Sequence, residues 1–341
     1  MKNFIYLILS ILFLYSCKKS NGDGSSGNPG DSTSTGAVST FVGSATSTPF
    51  NSEPTGICAD SKGNFFVAEE NGSVVVKITA KGAVSPFAGS GVPGCENGTG
   101  TAATFTFPYQ VCADPQDNIY VGDYICSGLK RITPAGVVST FCSSDFTNQV
   151  YVEPQTICSD HQGNIYIAAG DGSNGIVKST PAGVVSRIAG DGTTGYTDGA
   201  AASAEFMMLS GICADGSGNI YVADAHRIRK ISGGQVTTIA GNDKIGYVDG
   251  TGAAAEFGGA MGLCADAGGN IYVADVYNSL IRKVTANGVV TTIAGSGISG
   301  YKDGDYKSAE FNEPSNLCIG TDGNLYVADS GNNVIRKIKL N

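Results

Sequence analysis

Short apolar runs separated by turns recur along this chain, and one arrangement of them is repeated six times. In the clearest copy, residues 262–275, the runs Leu-Cys-Ala and Ile-Tyr-Val-Ala lie on either side of a turn that contains Gly269-Asn270. Two apolar runs joined by a Gly-Asn turn predict a tight β-hairpin. The other copies of this hairpin are residues 56–69, 110–123, 156–169, 211–224 and 316–329.

Two more strands follow each hairpin. Behind the clearest copy, residues 280–284 alternate apolar and basic side chains, and residues 289–295 form a β-branched run. Such side chains favour extended chain over helix, so each repeat is expected to have four antiparallel strands. The hairpin asparagines of successive repeats are 54, 46, 55, 51 and 54 residues apart. Four strands in a repeat of that length predict a β-propeller with one blade per repeat.

The two ends of the repetitive region complement each other. Residues 36–43 match the fourth strand of a blade although no blade precedes them, and the sixth repeat ends after its third strand, residues 334–338. We therefore expect an all-β fold over residues 36–341, a six-bladed propeller of four-stranded antiparallel blades. Its last blade is closed by the N-terminal strand, which leaves no free interface between the first and last blades.

The repeat resembles a known family. Residues 211–224, Gly-Ile-Cys-Ala-Asp-Gly-Ser-Gly-Asn-Ile-Tyr-Val-Ala-Asp, together with residues 228–231, Ile-Arg-Lys-Ile, resemble the NHL repeat. The resemblance covers residues 36–341. NHL propellers act as protein-binding modules, as nucleic-acid binders and, less often, as enzymes. The resemblance thus implies the fold and leaves the function open.

Residues 1–16 lie outside the repeats. Lys2 is followed by an apolar run over residues 4–15, which is too short to span a bilayer and suits the core of a signal peptide. Residues 14–17, Leu-Tyr-Ser-Cys, resemble a bacterial lipobox apart from the bulky Tyr15, and imply that Cys17 becomes the lipidated first residue. An ordinary secretory signal cut near Ser16 is the alternative.

The stretch 17–35 is rich in Ser and Gly and has almost nothing to bury, so it is expected to be a flexible tether. Several acyl chains on Cys17 would anchor the protein durably. We therefore expect the propeller to be extracytoplasmic and held by its lipid to a bacterial membrane, with the outer membrane favoured.

Connections between strands of a propeller emerge on two faces. The fourth-to-first loops and the second-to-third turns share one face, called the loop face below. The first-to-second and third-to-fourth turns share the other, called the turn face. Three of the fourth-to-first loops carry Gly-Tyr-x-Asp-Gly, at residues 195–199, 246–250 and 300–304. The loop face is therefore expected to be the more elaborate one.

These loops permit two interpretations. Either the aspartates cap their own turns and the tyrosines pack on neighbouring blades, or these aromatic and acceptor groups bind a sugar or a peptide. The second interpretation makes the loop face a binding surface for a protein or glycan. Its candidate ligand-binding residues are Tyr196, Asp198, His226, Tyr247, Asp249, Tyr277, Tyr301 and Asp303.

An acidic residue also ends the second strand in most repeats. It is an aspartate in four of them, whereas Glu69 and Ala169 take its place in the other two. Recurrence in most blades favours a structural hydrogen bond to the following loop, and Ala169 argues against a complete acidic ring. The four aspartates are Asp123, Asp224, Asp275 and Asp329.

Six of the ten cysteines occupy one position of the innermost strand. Equivalent positions are spaced around the ring, so these cysteines are expected to be small buried side chains near the axis, without disulfides between them. Cys95 and Cys126 lie in connections of the loop face, where a disulfide between them is left open. The six equivalent cysteines are Cys58, Cys112, Cys158, Cys213, Cys264 and Cys318.

Charge excludes one class of partner. The formal net charge is −9, which argues against nucleic acid. Many basic residues lie on the third strands, as in Arg229-Lys230, Arg282-Lys283 and Arg336-Lys337. We expect these to be paired, solvated charges on the rim of the blades.

Signatures of catalysis are few. The chain has two histidines, and the topology places His161 and His226 on opposite faces, whereas the NHL-type lyases that share this fold bind zinc through several histidines. Lactonase-like propellers bind calcium through carboxylates in the channel. We therefore favour a monomeric binding or scaffold module without a catalytic residue or a required cofactor. A metal-dependent lyase or lactonase at the channel mouth, with Ca²⁺ as a possible ion, is the alternative.

Overall fold

Each repeat folds into one antiparallel sheet in the computed structural model, which describes residues 37–44, 46–126, 128–143, 154–169 and 174–340. In chain order the strands are β1 (Val38–Val42), β2 (Pro54–Ala59), β3 (Phe65–Glu69), β4 (Val74–Ile78), β5 (Val84–Ala88), β6 (Gly98–Thr99), β7 (Pro108–Ala113), β8 (Ile119–Asp123), β9 (Gly128–Ile132), β10 (Val137–Ser143), β11 (Pro154–Ser159), β12 (Ile165–Ala169), β13 (Gly175–Ser179), β14 (Val185–Ala189), β15 (Gly199–Ala200), β16 (Leu209–Ala214), β17 (Ile220–Asp224), β18 (Arg227–Ser232), β19 (Gln235–Gly241), β20 (Gly250–Thr251), β21 (Ala260–Ala265), β22 (Ile271–Asp275), β23 (Leu280–Val284), β24 (Val289–Ala294), β25 (Pro314–Ile319), β26 (Leu325–Asp329) and β27 (Val334–Ile338). Short 3₁₀ helices lie at Gly100–Ala102, Ala201–Ser203, Gly252–Ala254, Val276–Asn278 and Ser330–Asn332.

The sheets form six blades, which confirms the predicted propeller. Blades 1 and 3 are β2–β5 and β11–β14, and blades 2, 4 and 5 are β7–β10, β16–β19 and β21–β24. Blade 6 has the order β1-β27-β26-β25, so the N-terminal strand is its fourth strand, as the sequence predicted. In that closure Val38 pairs with Ile338 and Thr40 pairs with Arg336.

A fifth strand that the sequence did not predict lies at the outer edge of three blades. The strands β6, β15 and β20 come from the loops that lead into blades 2, 4 and 5, and each pairs with the fourth strand of the blade that follows. In blade 6 the loop makes a single bridge between Gly304 and Val38. Each of these strands has two residues, which is too short to leave an alternating pattern in the sequence.

The hairpins on the turn face are fixed by one aspartate each. In blade 5, Asp266 Oδ1 accepts the backbone N–H of Asn270 at 2.9 Å, and its Oδ2 accepts the Asn270 amide at 2.8 Å and the Tyr272 hydroxyl at 3.1 Å. Gly269 has a φ of +77°, which an L side chain rarely adopts. The Gly-Asn turn and the following strand are therefore tied to the same carboxylate. Asp114, Asp160 and Asp215 repeat this arrangement. Asp60 makes the same two bonds to Asn64, but Phe66 takes the place of the tyrosine.

The core lies between the blades. The phenylalanines that end the long loops are fully buried in the clusters between neighbouring blades. The seven free cysteines of the described residues are buried or nearly so, as the sequence predicted for the six equivalent ones. The phenylalanines are Phe105, Phe206, Phe257 and Phe311.

The predicted signal peptide, Cys17 and the tether 17–35 lie outside the described residues. Among the residues that are described, none belongs to a helix long and apolar enough to cross a membrane.

Candidate ligand-binding face

The loop before blade 4 is fastened by a buried arginine. Arg229 on β18 donates through Nη1 to Asp224 Oδ2 at 2.7 Å and lies 2.8 Å through Nη2 from Asp198 Oδ1. Arg229 and Asp224 have no exposed side-chain surface, and Asp198 is about half exposed. Asp198 also accepts the backbone N–H of Thr238 on β19 at 2.8 Å. We call Asp224, Arg229 and Asp198, with Thr238, the arginine anchor of blade 4.

The same anchor recurs in two further blades. In blade 5, Arg282 donates to Asp275 at 2.9 Å and to Asp249 at 2.8 Å. In blade 6, Arg336 donates to Asp329 and Asp303 at 2.8 Å each. This recurring geometry fixes each Tyr-x-Asp-Gly loop to the second, third and fourth strands of its blade.

Blade 2 carries a weaker version of the anchor. Lys130 replaces the arginine and donates to Asn97 at 2.9 Å, and Thr140 on β10 also donates to Asn97 at 3.3 Å. Blades 1 and 3, whose preceding loops are shorter, have Val76 and Val177 at the arginine position. An elaborate loop and a basic residue at this position of the third strand therefore occur together.

The prediction that the basic residues of the third strands are solvated on the rim is wrong for three arginines. Arg229, Arg282 and Arg336 are fully buried, because each satisfies the carboxylates of an anchor. The lysines that follow them lie instead over aromatic rings of the second strand. Lys230, Lys283 and Lys337 are 5.5, 5.7 and 5.3 Å from the ring centres of Tyr221, Tyr272 and Tyr326.

A second contact ties each loop to the second-to-third turn, and its chemistry differs among the blades. In blade 4 the Arg227 guanidinium lies 3.6 Å from the ring centre of Tyr196. In blades 5 and 6 the amides of Asn278 and Asn332 donate to loop carbonyl oxygens at 2.7 and 2.8 Å. In blade 2 the same place is taken by a disulfide between Cys95 and Cys126. The alternative left open by the sequence is therefore resolved in favour of pairing.

The eight candidate binding residues differ in the contacts that they make within the protein. Asp198, Asp249 and Asp303 belong to the anchors. Hydrogen bonds from Thr292 and Arg282 hold the pKa of Asp249 below its usual range, although burial opposes them. Among the tyrosines, Tyr301 bonds to Thr40 through its hydroxyl at 2.8 Å and Tyr196 stacks on Arg227.

Three candidates are exposed to solvent or have a ring nitrogen without a hydrogen-bond partner among the described residues. Tyr247 and Tyr277 are 70% and 58% exposed. His226 is half-buried, and its Nδ1 has no hydrogen-bond partner within the described part of the chain. The two exposed tyrosines are the ones free to contact a ligand.

Most exposed apolar side chains of the described residues lie on this face. Twelve large apolar side chains are exposed, and three of them, Val137, Val184 and Val289, lie beside turns of the turn face. The other nine lie in loops or second-to-third turns of the loop face, mostly over blades 4 to 6. They are Val92, Ile125, Met207, Met208, Ile245, Tyr247, Val248, Tyr277 and Ile298.

The innermost strands approach closely around the axis. A Cβ on Gly56 would lie 2.7 Å from the carbonyl oxygen of Tyr109, so only glycine fits there. At the level of Gly56, the Asn316 amide donates to Gln110 and bridges blades 6 and 2. The equivalent residues of the other blades are Thr156, Gly211 and Gly262, so the ring at this level consists of glycine, amide and hydroxyl groups.

This donor set does not fit the calcium site considered from the sequence, which requires carboxylates at the axis. Over the residues that the structure describes, no group of three or more His, Cys, Asp and Glu side chains could hold a metal ion.

Two segments of the chain, residues 257–284 and 311–338, match the family profile of the NHL repeat. Blades 5 and 6 of this propeller therefore each carry an NHL repeat. A similar curated protein is SUPPRESSOR OF QUENCHING 1, a chloroplastic protein of Arabidopsis thaliana, which is 37% identical over 134 residues. That match covers 36% of this chain and 13% of the relative. The chain thus spans only a small part of the length of its curated relatives.

Solved structures share the fold at low identity. An auxiliary nutrient binding protein from Bacteroides thetaiotaomicron aligns with a TM-score of 0.67 and 17% identity, over 89% of this chain and 76% of its own. A gluconolactonase from Xanthomonas campestris aligns with a TM-score of 0.60 and 12% identity, over 89% of each chain. Such likeness shows the fold alone, which hosts both binding proteins and enzymes.

Proposed function

We propose that this protein is a membrane-tethered, extracytoplasmic NHL propeller that binds a protein or glycan ligand on its loop face. The observation that carries the proposal is the concentration of exposed apolar side chains there, nine of the twelve that the described residues expose. Soluble monomers seldom gather such side chains on one face unless the face meets a partner. The arginine anchors hold the loops that present them, which reduces the ordering cost of binding.

The disulfide between Cys95 and Cys126 supports the proposed compartment. Structural disulfides persist in oxidising environments outside the cytoplasm. The resemblance of residues 14–17 to a lipobox supplies the proposed anchor, Cys17. Metabolic labelling with a fatty acid tests it: wild type should take up label and Cys17→Ala should not. Equal labelling of both would remove the anchor from the proposal.

An enzymatic role of the lactonase or lyase kind is less well supported. It rests on the fold that the chain shares with the Xanthomonas campestris gluconolactonase. The inner ring, however, offers amides and glycines where such chemistry needs carboxylates or several histidines. A binding role requires only the exposed surface that is present.

The proposal is tested by ligand capture from a cell-envelope extract, with captured molecules identified by mass spectrometry. Tyr247→Ser combined with Ile245→Ser removes exposed apolar area without touching an anchor. This variant should lose the captured ligand, whereas Val184→Ser on the turn face should keep it. If the turn-face variant loses the ligand and the loop-face variant retains it, the proposed face is wrong.

A further inference from the structure

The opening of the axis on the loop face has two chemically different sides. The residues that immediately precede the inner strands surround it, and we call this set the axial mouth. Next to the mouth, the Tyr277 ring lies directly over Gly259, where a Cβ would be 2.5 Å from the ring. The described residues of the axial mouth are Glu53, Phe107, Met208, Gly259 and Glu313.

The acidic side lies at blades 6 and 1. Glu313 and Glu53 are exposed members of the mouth, and Glu70, in the second-to-third turn of blade 1, is half-buried beside them. Burial raises the pKa of Glu53 and the charge of Glu313 raises it further, while burial and the charge of Glu53 do the same for the pKa of Glu70. Glu53 therefore lies close enough to both Glu313 and Glu70 for the charges to interact.

No cation of the described chain relieves this repulsion. Every ion pair found among the described residues involves other carboxylates. In the part of the chain that is described, no group of three or more His, Cys, Asp and Glu side chains could hold a metal ion, and these three glutamates are included in that result. An ammonium or guanidinium group donates several hydrogen bonds and is a cation that such carboxylates bind.

The apolar side lies at blades 4 and 5. Met208 is 53% exposed and Tyr277 is 58% exposed, and Ile245 and Val248 continue the surface outward along the loop before blade 5. Most of these side chains are aliphatic or thioether groups, which suit the apolar side chains of a protein better than the faces of sugars. Methionine and tyrosine are also enriched where proteins meet. An anionic membrane surface is disfavoured, because the glutamates would repel it.

We propose that the loop face docks a protein segment in which a Lys or Arg side chain lies beside apolar ones. The cationic group enters the acidic side of the axial mouth between Glu53, Glu70 and Glu313. The neighbouring apolar side chains cover Met208, Tyr277 and Ile245. This inference rests on the proposed function and adds the chemical nature of the partner.

The test measures binding of labelled synthetic peptides to the full-length protein in a mild neutral detergent by fluorescence anisotropy. The probe alternates leucine and lysine, and its matched controls alternate leucine with glutamate and serine with lysine. A set of neutral oligosaccharides is included as competitors. The leucine–lysine peptide should bind at least about ten-fold more tightly than either control, because only it matches both sides of the mouth.

Variants separate the two contributions. Joint replacement of Glu53, Glu70 and Glu313 by Gln should weaken the leucine–lysine peptide by about ten-fold, and so should Met208→Ser combined with Tyr277→Ser. Val184→Ser on the turn face is the control and should bind normally.

Four outcomes overturn the inference: no peptide binds; the leucine–glutamate peptide binds as tightly as the probe; the glutamine variant binds the probe normally; or an oligosaccharide is preferred. In the last case a loss of oligosaccharide binding in the Tyr277→Ser variant would leave the proposed function standing. If binding of any probe is lost only in Val184→Ser, the proposed function fails as well.

Discussion

Thr40 donates its backbone N–H to Asp303 Oδ2 at 2.9 Å, across 263 residues of the chain. Its hydroxyl is also 2.8 Å from the Tyr301 hydroxyl. Thr238 and Thr292 make the same backbone bond to Asp198 and Asp249 within their own blades. The N-terminal strand therefore does more than add a row of ladder hydrogen bonds, because it supplies the threonine of the blade 6 anchor.

Deleting residues 36–43 should therefore lower the free energy of unfolding by several kcal/mol. The deletion removes the ladder of β1 and the buried Val38 and Val42, and it leaves Asp303 without Thr40. Thermal unfolding followed by circular dichroism would measure the loss. Deleting residues 18–35 is the matched control and should leave the midpoint unchanged. Equal effects of the two deletions would show that β1 does not close the ring.

The two basic residues in the middle of β23 should differ sharply in their contribution to stability. Arg282→Met leaves Asp275 buried without its cation, which should cost about 3–5 kcal/mol. Lys283→Met removes only the contact with the Tyr272 ring and should cost at most about 1 kcal/mol.

Denaturant unfolding measures both variants of β23. Adding Asp275→Asn to Arg282→Met should recover part of the loss, because it removes the unpaired charge. Similar losses for the two single variants would contradict the importance of the anchor.

The repeat pattern was sufficient to predict the blades, their number and the closing strand. Those features follow from apolar alternation and turn residues, which act locally. The arginine anchor was missed because its members come from a loop and three strands, and because Arg-Lys pairs on the third strands were interpreted together as rim charge. A signal was available: the arginine is present only in the repeats that follow a Tyr-x-Asp-Gly loop, and Val76, Lys130 and Val177 replace it elsewhere.

The candidate site was predicted at the level of the face and less well at the level of residues. The same Tyr-x-Asp-Gly motif gives a ring stacked on Arg227 at Tyr196 and an exposed ring at Tyr247. The difference depends on the residue in the neighbouring turn, Arg227 or Asn278, which only the fold brings beside the loop. Glu53 and Glu313 each precede the proline that begins an inner strand, a signal in the sequence that was missed. Glu70 shares no such pattern, and only the fold brings it beside them.

Glu69 should give the protein a pH-dependent loss of stability. It occupies the place of Asp224 in blade 1, where Val76 replaces the arginine, so its Oε1 has no partner within the described structure. Burial raises the pKa of Glu69 above 4.5, and the N–H groups of Asn51 and Ser52 only partly offset this.

The folded state therefore binds the proton of the Glu69 carboxyl group more tightly than the unfolded state does. The resulting stabilisation is complete below pH 4.5 and is lost as the pH rises through the folded pKa of Glu69. Glu69→Gln should remove this dependence in urea unfolding measured across that range, whereas Glu96→Gln, at an exposed loop position, should keep it. An unchanged pH profile in Glu69→Gln would assign the dependence to other groups.

The disulfide of blade 2 should contribute more than the contacts that replace it in other blades. Cys95 and Cys126 close a loop with a sequence separation of 31, and replacing both by Ser should cost about 2–4 kcal/mol. Tyr196→Ala removes the corresponding cation–π contact of blade 4 and should cost about 0.5–2 kcal/mol. Thermal melts with and without a dithiol reductant provide the check. The reductant should lower the wild-type midpoint to that of the double serine variant and leave the variant unchanged, because the remaining cysteines described are unpaired. If complete reduction leaves the wild-type midpoint unchanged, Lys130 and Asn97 hold this loop without the covalent link.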